Sequence, residues 1–216
     1  MPYRVIVVDA YDSFVHILVS YFEQLGCKVT VLRKDDPGLL ALIDPLYSDI
    51  IVPGPGPGPG PGPGPGPGHP SQSGYDIILN KNSGRLPVLG VCLDHQAIGL
   101  YYGCIIKYAK NLMHGKTSLI KHDGQGCYVS LNSRTLKVMR YHSIIVANKD
   151  IPSHMAVTSY SIDDNYIMGL RHQSFPIESV QFHPESIATE CGLDLIKNFI
   201  TTYTFNKKGC KYEELH

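Results

Sequence analysis

Three short apolar runs constrain this chain more than anything else in it: "RVIVVD" (Arg4 to Asp9), "DIIV" (Asp49 to Val52) and "LPVLGV" (Leu86 to Val91). None alternates polar with apolar residues, so none suits a strand with one face in water. A continuous run fits a strand buried on both faces, which is the condition of a parallel sheet covered by helices. The sequence between the runs agrees. Phe14, Ile17, Leu18, Tyr21, Phe22 and Leu25 keep helical spacing, with Asp12 and Ser13 placed as N-caps and Gly26 as the stop. "KVTVL" (Lys28 to Leu32) reads as another strand, and Leu93 to Tyr102 as another helix, ended by Gly103. The expected fold is therefore α/β, a doubly wound, mostly parallel sheet with helices on both faces.

The C-terminal half has a different texture. Between Gly115 and Phe182, β-branched stretches such as "SIIVAN" and "MAVTSY" are broken by turn residues and show little helical period. They predict a smaller antiparallel region on the same sheet. A last helix, Gly192 to Thr202, places Leu195, Ile196, Phe199 and Ile200 on one face. With 216 residues the chain suits one large domain, taken as 1–205, followed by a polar tail, 206–216. Inside that domain lies an uninterrupted Pro-Gly repeat, 53–68. Its period of two is not that of collagen, and it carries no side chains that could build a core. It reads as a surface loop, but one that directly follows a strand, where α/β sheets bind ligands.

Charge excludes some partners. Nineteen basic residues balance nineteen acidic ones, so neither nucleic acid nor a membrane surface is an expected partner. No apolar stretch approaches the ~20 residues of a membrane span, and the start "MPYRVIVVDAYDSF" lacks a secretion leader. The expected location is cytoplasmic, or a plastid or other organelle stroma after removal of a transit peptide. The six cysteines (Cys27, Cys92, Cys104, Cys127, Cys191, Cys210) form no C-x-x-C pair and read as free thiols. The ten histidines show no metal-ligand spacing, so no metal site is expected.

Free cysteine is usually a packing residue, and Cys104, Cys127 and Cys191 are assigned that role. Cys92 differs by position. "GVCLDH" sets it at a strand-to-helix turn behind Gly90, where a helix N-terminus favours a thiolate. A nucleophile there needs a base and a group to orient that base. "SVQFHPESI" supplies His183 and Glu185, two residues apart on one side of a chain kept extended by Pro184.

These segments resemble the class I (triad) glutamine amidotransferases. "GVCLDHQAIG" is similar to that family's nucleophile motif, and "VQFHPES" matches its His/Glu motif letter for letter. "VVDAYDSF", "LMHGKTS" and "RYHSIIV" resemble three further family segments, in family order, so the likeness spans roughly Val5 to Ile200. The branch indicated is that of the glutaminase subunits serving chorismate-using synthases.

The resemblance implies a set of roles. Cys92 would attack the side-chain amide of L-glutamine, with His183 as base and acid and Glu185 orienting it. The oxyanion donors would be the backbone at Leu93 and a glycine of the loop Gly54, Pro55, Gly56. Gln96 would help hold the substrate, whose α-groups would meet the backbone of Ser143 and Ile144. His95, His114 and His142 read as structural hydrogen-bonders. No cofactor is implied for this chain, Mg2+ being expected only in a chorismate-binding synthase subunit that receives the ammonia. That partner would belong to anthranilate synthase or, alternatively, to aminodeoxychorismate synthase of the folate pathway.

Two departures from the family pattern stand out. Asp94 occupies a position where the family has glycine. At ~6–7 Å and an effective dielectric near 20 its charge would oppose a thiolate by roughly 2.5 kcal/mol, unless it points outward into water. The family has about two Pro-Gly units where this chain has eight, leaving Gly66 and Gly68 as the alternative to Gly54 and Gly56. Together they motivate a second reading, a non-enzymatic scaffold subunit.

Overall fold

Parallel pairing organises the N-terminal half of the sheet. In the computed structural model, which describes residues 2–11, 14–54, 56 and 69–204, the strands in chain order are β1 (Arg4–Asp9), β2 (Lys28–Arg33), β3 (Ile50–Val52), β4 (Val88–Val91), β5 (Ile106–His122), β6 (Thr135–Val146), β7 (Met155–Ser161), β8 (Ile167–His172) and β9 (Ile177–Val180). The helices are α1 (Val15–Gln24), α2 (Leu39–Leu42), α3 (Tyr75–Asn82), α4 (Leu93–Tyr101) and α5 (Gly192–Thr204). The strands form one sheet in the order β2-β1-β3-β4-β9-β8-β7-β5-β6. β1 lies parallel to β2 and β3, β3 to β4, and β4 to β9; from β9 outward the pairings are antiparallel.

The apolar runs are continuous because both faces of these strands are covered. Val5, Val7, Ile50, Val52 and Val91 join the buried residues of α1 and α5 on one side. Ile6, Val8, Ile51 and Val88 join those of α3 and α4 on the other. Side chains alternate across a strand, so a run with every position apolar feeds two cores at once. Among the described residues no helix is long and apolar enough to cross a membrane.

Several details differ from the sequence reading. Helix α1 begins at Val15 with Phe14 at its N-cap and no side-chain cap bond; Asp12 and Ser13 lie outside the described residues, as do Pro55, 57–68 and 205–216. Helix α3 was not expected. β5 is a 17-residue strand, far longer than the short stretches anticipated, and its ladder with β6 is interrupted by register shifts at Tyr108/Met113 and His114/Lys116. Cys191 is exposed rather than packed in the core, while Cys27, Cys92, Cys104 and Cys127 are buried free thiols.

The antiparallel half is pinned by one buried cation. Arg140, on β6, is fully buried, yet it donates to Asp164 at 2.9 Å, Ser118 at 2.8 Å, Asp163 at 3.4 Å and the Nε2 of His142 at 3.1 Å. Asp164 has little other access to water, its side chain being 6% exposed. Removing one partner of such a pair leaves the other charge desolvated and unmatched. Arg140→Met is therefore expected to cost about 3 kcal/mol of stability in urea unfolding, and Arg140→Met combined with Asp164→Leu to recover part of that loss.

Candidate active site

The turn between β4 and α4 is where the chain is most constrained. Cys92 is the N-cap of α4 and takes φ 57° and ψ −100°, a positive-φ conformation outside the left-handed helical basin and unusual for a residue with a side chain. Its N–H donates to the Val180 carbonyl at 2.9 Å, which ties the turn to β9. Gly90 is required just before it, because a Cβ there would lie 2.5 Å from Ile98 and 3.0 Å from Ser179. The helix can then sit directly over the strand end. The thiol is 7% exposed, with Sγ 3.6 Å from the Tyr141 carbonyl.

His183 comes from the segment after β9. That strand ends at Val180, so His183 lies beyond it rather than on it. Its N–H donates to the Met139 carbonyl at 3.0 Å and its own carbonyl accepts the Thr189 hydroxyl at 2.6 Å. Nδ1 donates to Glu185 Oε1 at 2.6 Å, and both side chains are almost wholly buried. Nε2 has no hydrogen-bond partner among the described residues, and Cys92 is near enough to act on the imidazole electrostatically. Burial pushes the imidazole pKa down, but the negative charge of Cys92, followed by Glu185, outweighs it and holds it well above the ordinary value. The rings of Phe14 and Tyr141 pack around the imidazole, with centroids 5.8 and 5.5 Å away.

Gly54 and Gly56 stand beside this turn. Gly54 has φ +89° and so little room that a Cβ would fall 1.9 Å from the Val8 carbonyl oxygen; its own carbonyl accepts the Tyr75 hydroxyl at 3.0 Å. A Cβ on Gly56 would lie 3.3 Å from the side chain of Leu93, the first residue of α4. The strand-proximal end of the Pro-Gly loop therefore meets the helix that follows Cys92. Pro55, Gly66 and Gly68 lie outside the described residues. Ser143 and Ile144 sit on β6, and the Ile144 carbonyl accepts the amide of Gln96 at 2.8 Å.

Asp94 does not point outward. It is fully buried, and its Oδ2 accepts the Val91 N–H at 3.4 Å, turning the carboxyl back toward the end of β4. His95 is buried against the Ser179 hydroxyl at 3.0 Å, and burial lowers its pKa to about 3. His142 is lowered to about 3 as well, by burial and then by Arg140. His114 packs edge-on to Tyr141 at 5.6 Å. Among the described residues no three His, Cys, Asp or Glu side chains gather as a metal site would require.

Two contributors escaped the sequence reading. Tyr141 presents its carbonyl to the sulfur and its ring to His183. Gln181 places its amide 3.4 Å from the Cys92 carbonyl and 3.8 Å from Sγ. Gln181 does carry a sequence signal, since it alternates with His183 inside "VQFHPES".

The charges on His183 predict a titration series. Cys92→Ser should lower its pKa more than Glu185→Gln does. With both replaced, only burial remains to act, and the value should fall below the ordinary 6.5. An NMR titration of the imidazole resonances reads each step.

Known proteins align with most of the chain. A family model described as glutamine amidotransferase class-I matches residues 63–202. Aminodeoxychorismate synthase component 2 of Klebsiella aerogenes is 41% identical over 198 residues, covering 91% of this chain and 98% of that protein. Anthranilate synthase component 2 of Pseudomonas putida is 41% identical over 202 residues, covering 89% and 94%. A Bacillus subtilis relative carries both names, aminodeoxychorismate/anthranilate synthase component 2, at 38% identity over 202 residues, covering 92% and 96%. A solved glutamine amidotransferase structure from Thermotoga maritima superposes with a TM-score of 0.60 at 15% identity, covering 99% of this chain and 87% of that one, a likeness of fold.

Proposed function

The chain belongs to the glutamine amidotransferase class-I family, and we propose that it is the glutaminase subunit of a chorismate-using synthase, forming one amidotransferase domain over 1–205. The observation that carries this reading is the meeting of Cys92, His183 and Glu185. A thiol on a strained strand-to-helix turn faces an imidazole whose far nitrogen is fixed by a buried carboxylate.

The chemistry follows from those positions. The Cys92 thiolate adds to the side-chain amide carbon of L-glutamine. The oxyanion that forms takes hydrogen bonds from the N–H of Leu93 and from the Gly54–Gly56 segment beside it. His183, protonated, gives its proton to the departing nitrogen, and ammonia leaves a γ-glutamyl thioester. The same imidazole then takes a proton from water as it attacks, releasing glutamate and restoring the thiolate. Backbone groups of Ser143 and Ile144 hold the α-amino and α-carboxylate groups. No step calls on a cofactor in this chain; Mg2+ belongs to the synthase partner, which aminates chorismate. Four buried free thiols suit a reducing compartment, the cytoplasm or an organelle stroma.

The relatives carry the names of both pathways, and the anthranilate synthase role is proposed ahead of the aminodeoxychorismate one. Reconstitution with each synthase decides between them by the aromatic product formed. In the productive complex, Cys92→Ser should abolish glutamate release and Glu185→Gln should lower it by about a thousandfold. A diazoketone analogue of glutamine should add once, on Cys92. Buried Asp94 favours a second reading, an assembled but non-catalytic subunit. A stable complex that releases no glutamate with either synthase, and that gains turnover on Asp94→Gly, would establish that reading and overturn the first.

A further inference from the structure

We propose that Gln181 holds the Cys92 thiolate with its side-chain amide, oriented for that task by Gln96. The inference deepens the glutaminase reading, since it takes Cys92 as the nucleophile. Its basis is the polarity of a short buried chain of amides.

A carbonyl oxygen can only accept, whereas a glutamine amide presents an oxygen at one corner and two N–H donors at the other. The Ile144 carbonyl, 2.8 Å from Gln96, therefore fixes which way Gln96 is turned: its NH2 faces β6. The second hydrogen of that NH2 goes to Gln181 Oε1 at 3.1 Å. With its oxygen taken, Gln181 has only its own NH2 left to turn toward the nucleophile. There it meets the Cys92 carbonyl at 3.4 Å and the sulfur at 3.8 Å. That carbonyl is also acceptor-only, so the chain is set in the same direction from both ends. Either amide flipped would press oxygen against oxygen. Gln181 is fully buried and Gln96 nearly so, so water does not compete for these groups, and an unmatched amide here would be costly.

The direction matters because the sulfur's other contact of this kind works the opposite way. The Tyr141 carbonyl, 3.6 Å from Sγ, can accept from a thiol but can only repel an anion. Gln181 is a donor and favours the anion. The remaining titratable and charged groups around the turn are His183 with Glu185 behind it, Asp94 and His95 on α4, and His142 with Arg140 on β6. Of these, Asp94 opposes a thiolate and the protonated His183 supports it. Gln181 adds a neutral donor that no change of pH removes.

The test is the pH dependence of Cys92 alkylation by iodoacetamide in the full chain, read by mass spectrometry of the Cys92 peptide. Gln181→Met, similar in size but without a donor, should raise the midpoint by about one pH unit, roughly tenfold in thiolate below it. Gln96→Met should raise it less, because Gln181 stays in place but loses its orientation. The double variant should be no worse than Gln181→Met alone, since the two act through one contact. An unmoved midpoint in a Gln181→Met protein that melts as the parent does overturns the proposal, and so does full additivity of the two variants. Should Gln181→Met melt too low to use, Gln181→Asn stays neutral but withdraws the amide from the sulfur: a raised midpoint supports the proposal, and an unmoved one overturns it. Alkylation needs neither glutamine nor synthase. A chain that never releases glutamate but shows these shifts loses the glutaminase reading and keeps this one.

Discussion

The pairing of β4 with β9 is the constraint on which the candidate site depends. Val91 stands opposite Val180 in parallel register, and one residue further the Cys92 N–H closes on the Val180 carbonyl at 2.9 Å. Cys92 and His183 are far apart in sequence, yet that register sets their strand ends side by side. It also explains why the site stands at the carboxyl ends of the strands, where the chain leaves the ladder and side chains are released from the two cores. A slip of one residue would exchange the two core-facing sets along β4 and shift Cys92 relative to Val180. The two hydrophobic layers that make β4 apolar at every position are therefore also what locks the site.

Around that join, polarity is arranged in layers. Arg140 fixes His142 by donating to its Nε2, and both lie on β6 close to Ile144, whose carbonyl orients Gln96. Gln96 bridges from α4 to Gln181, and Gln181 reaches back to Cys92. Tyr141, between Arg140 and His142 in sequence, turns its carbonyl to the sulfur and its ring to His183. A single strand thus supplies contacts to Cys92, His183 and the amide chain. Its position is held by a cation that water does not reach.

How much of this was legible beforehand follows from the physics of each element. β1, β3 and β4 were readable because burial on both faces writes itself as an unbroken apolar run. The turn at Cys92 and the His183–Glu185 contact were readable because each is written in particular side chains at short spacings. Helix α3 was not: with eight residues, "YDIILNKN", it is too short for its period to stand out. β5 was not either, because Tyr108 and Leu112 are exposed and the regular alternation of buried positions begins only at Ser118. Tyr141 acts partly through its carbonyl, which every residue possesses, so its type gives no warning. Gln181 needed three dimensions, since its role depends on a partner on another element.

Asp94 shows why the donors matter more than the helix. A helix N-terminus stabilises an anion by at most about 2 kcal/mol in a partly buried setting, and here two groups share one terminus. The carboxyl takes the Val91 N–H while the sulfur meets the Tyr141 carbonyl. Were both groups ionised at ~6–7 Å, their repulsion would be of the same size as the whole helix effect. On the glutaminase reading, the dipole alone would then be too weak to sustain a thiolate at this position. On that reading the burden passes to groups near the sulfur, the His183 imidazole held by Glu185 and the amide of Gln181 held by Gln96. Each is a donor whose orientation is settled by a second residue, and in each case that second residue is out of contact with water.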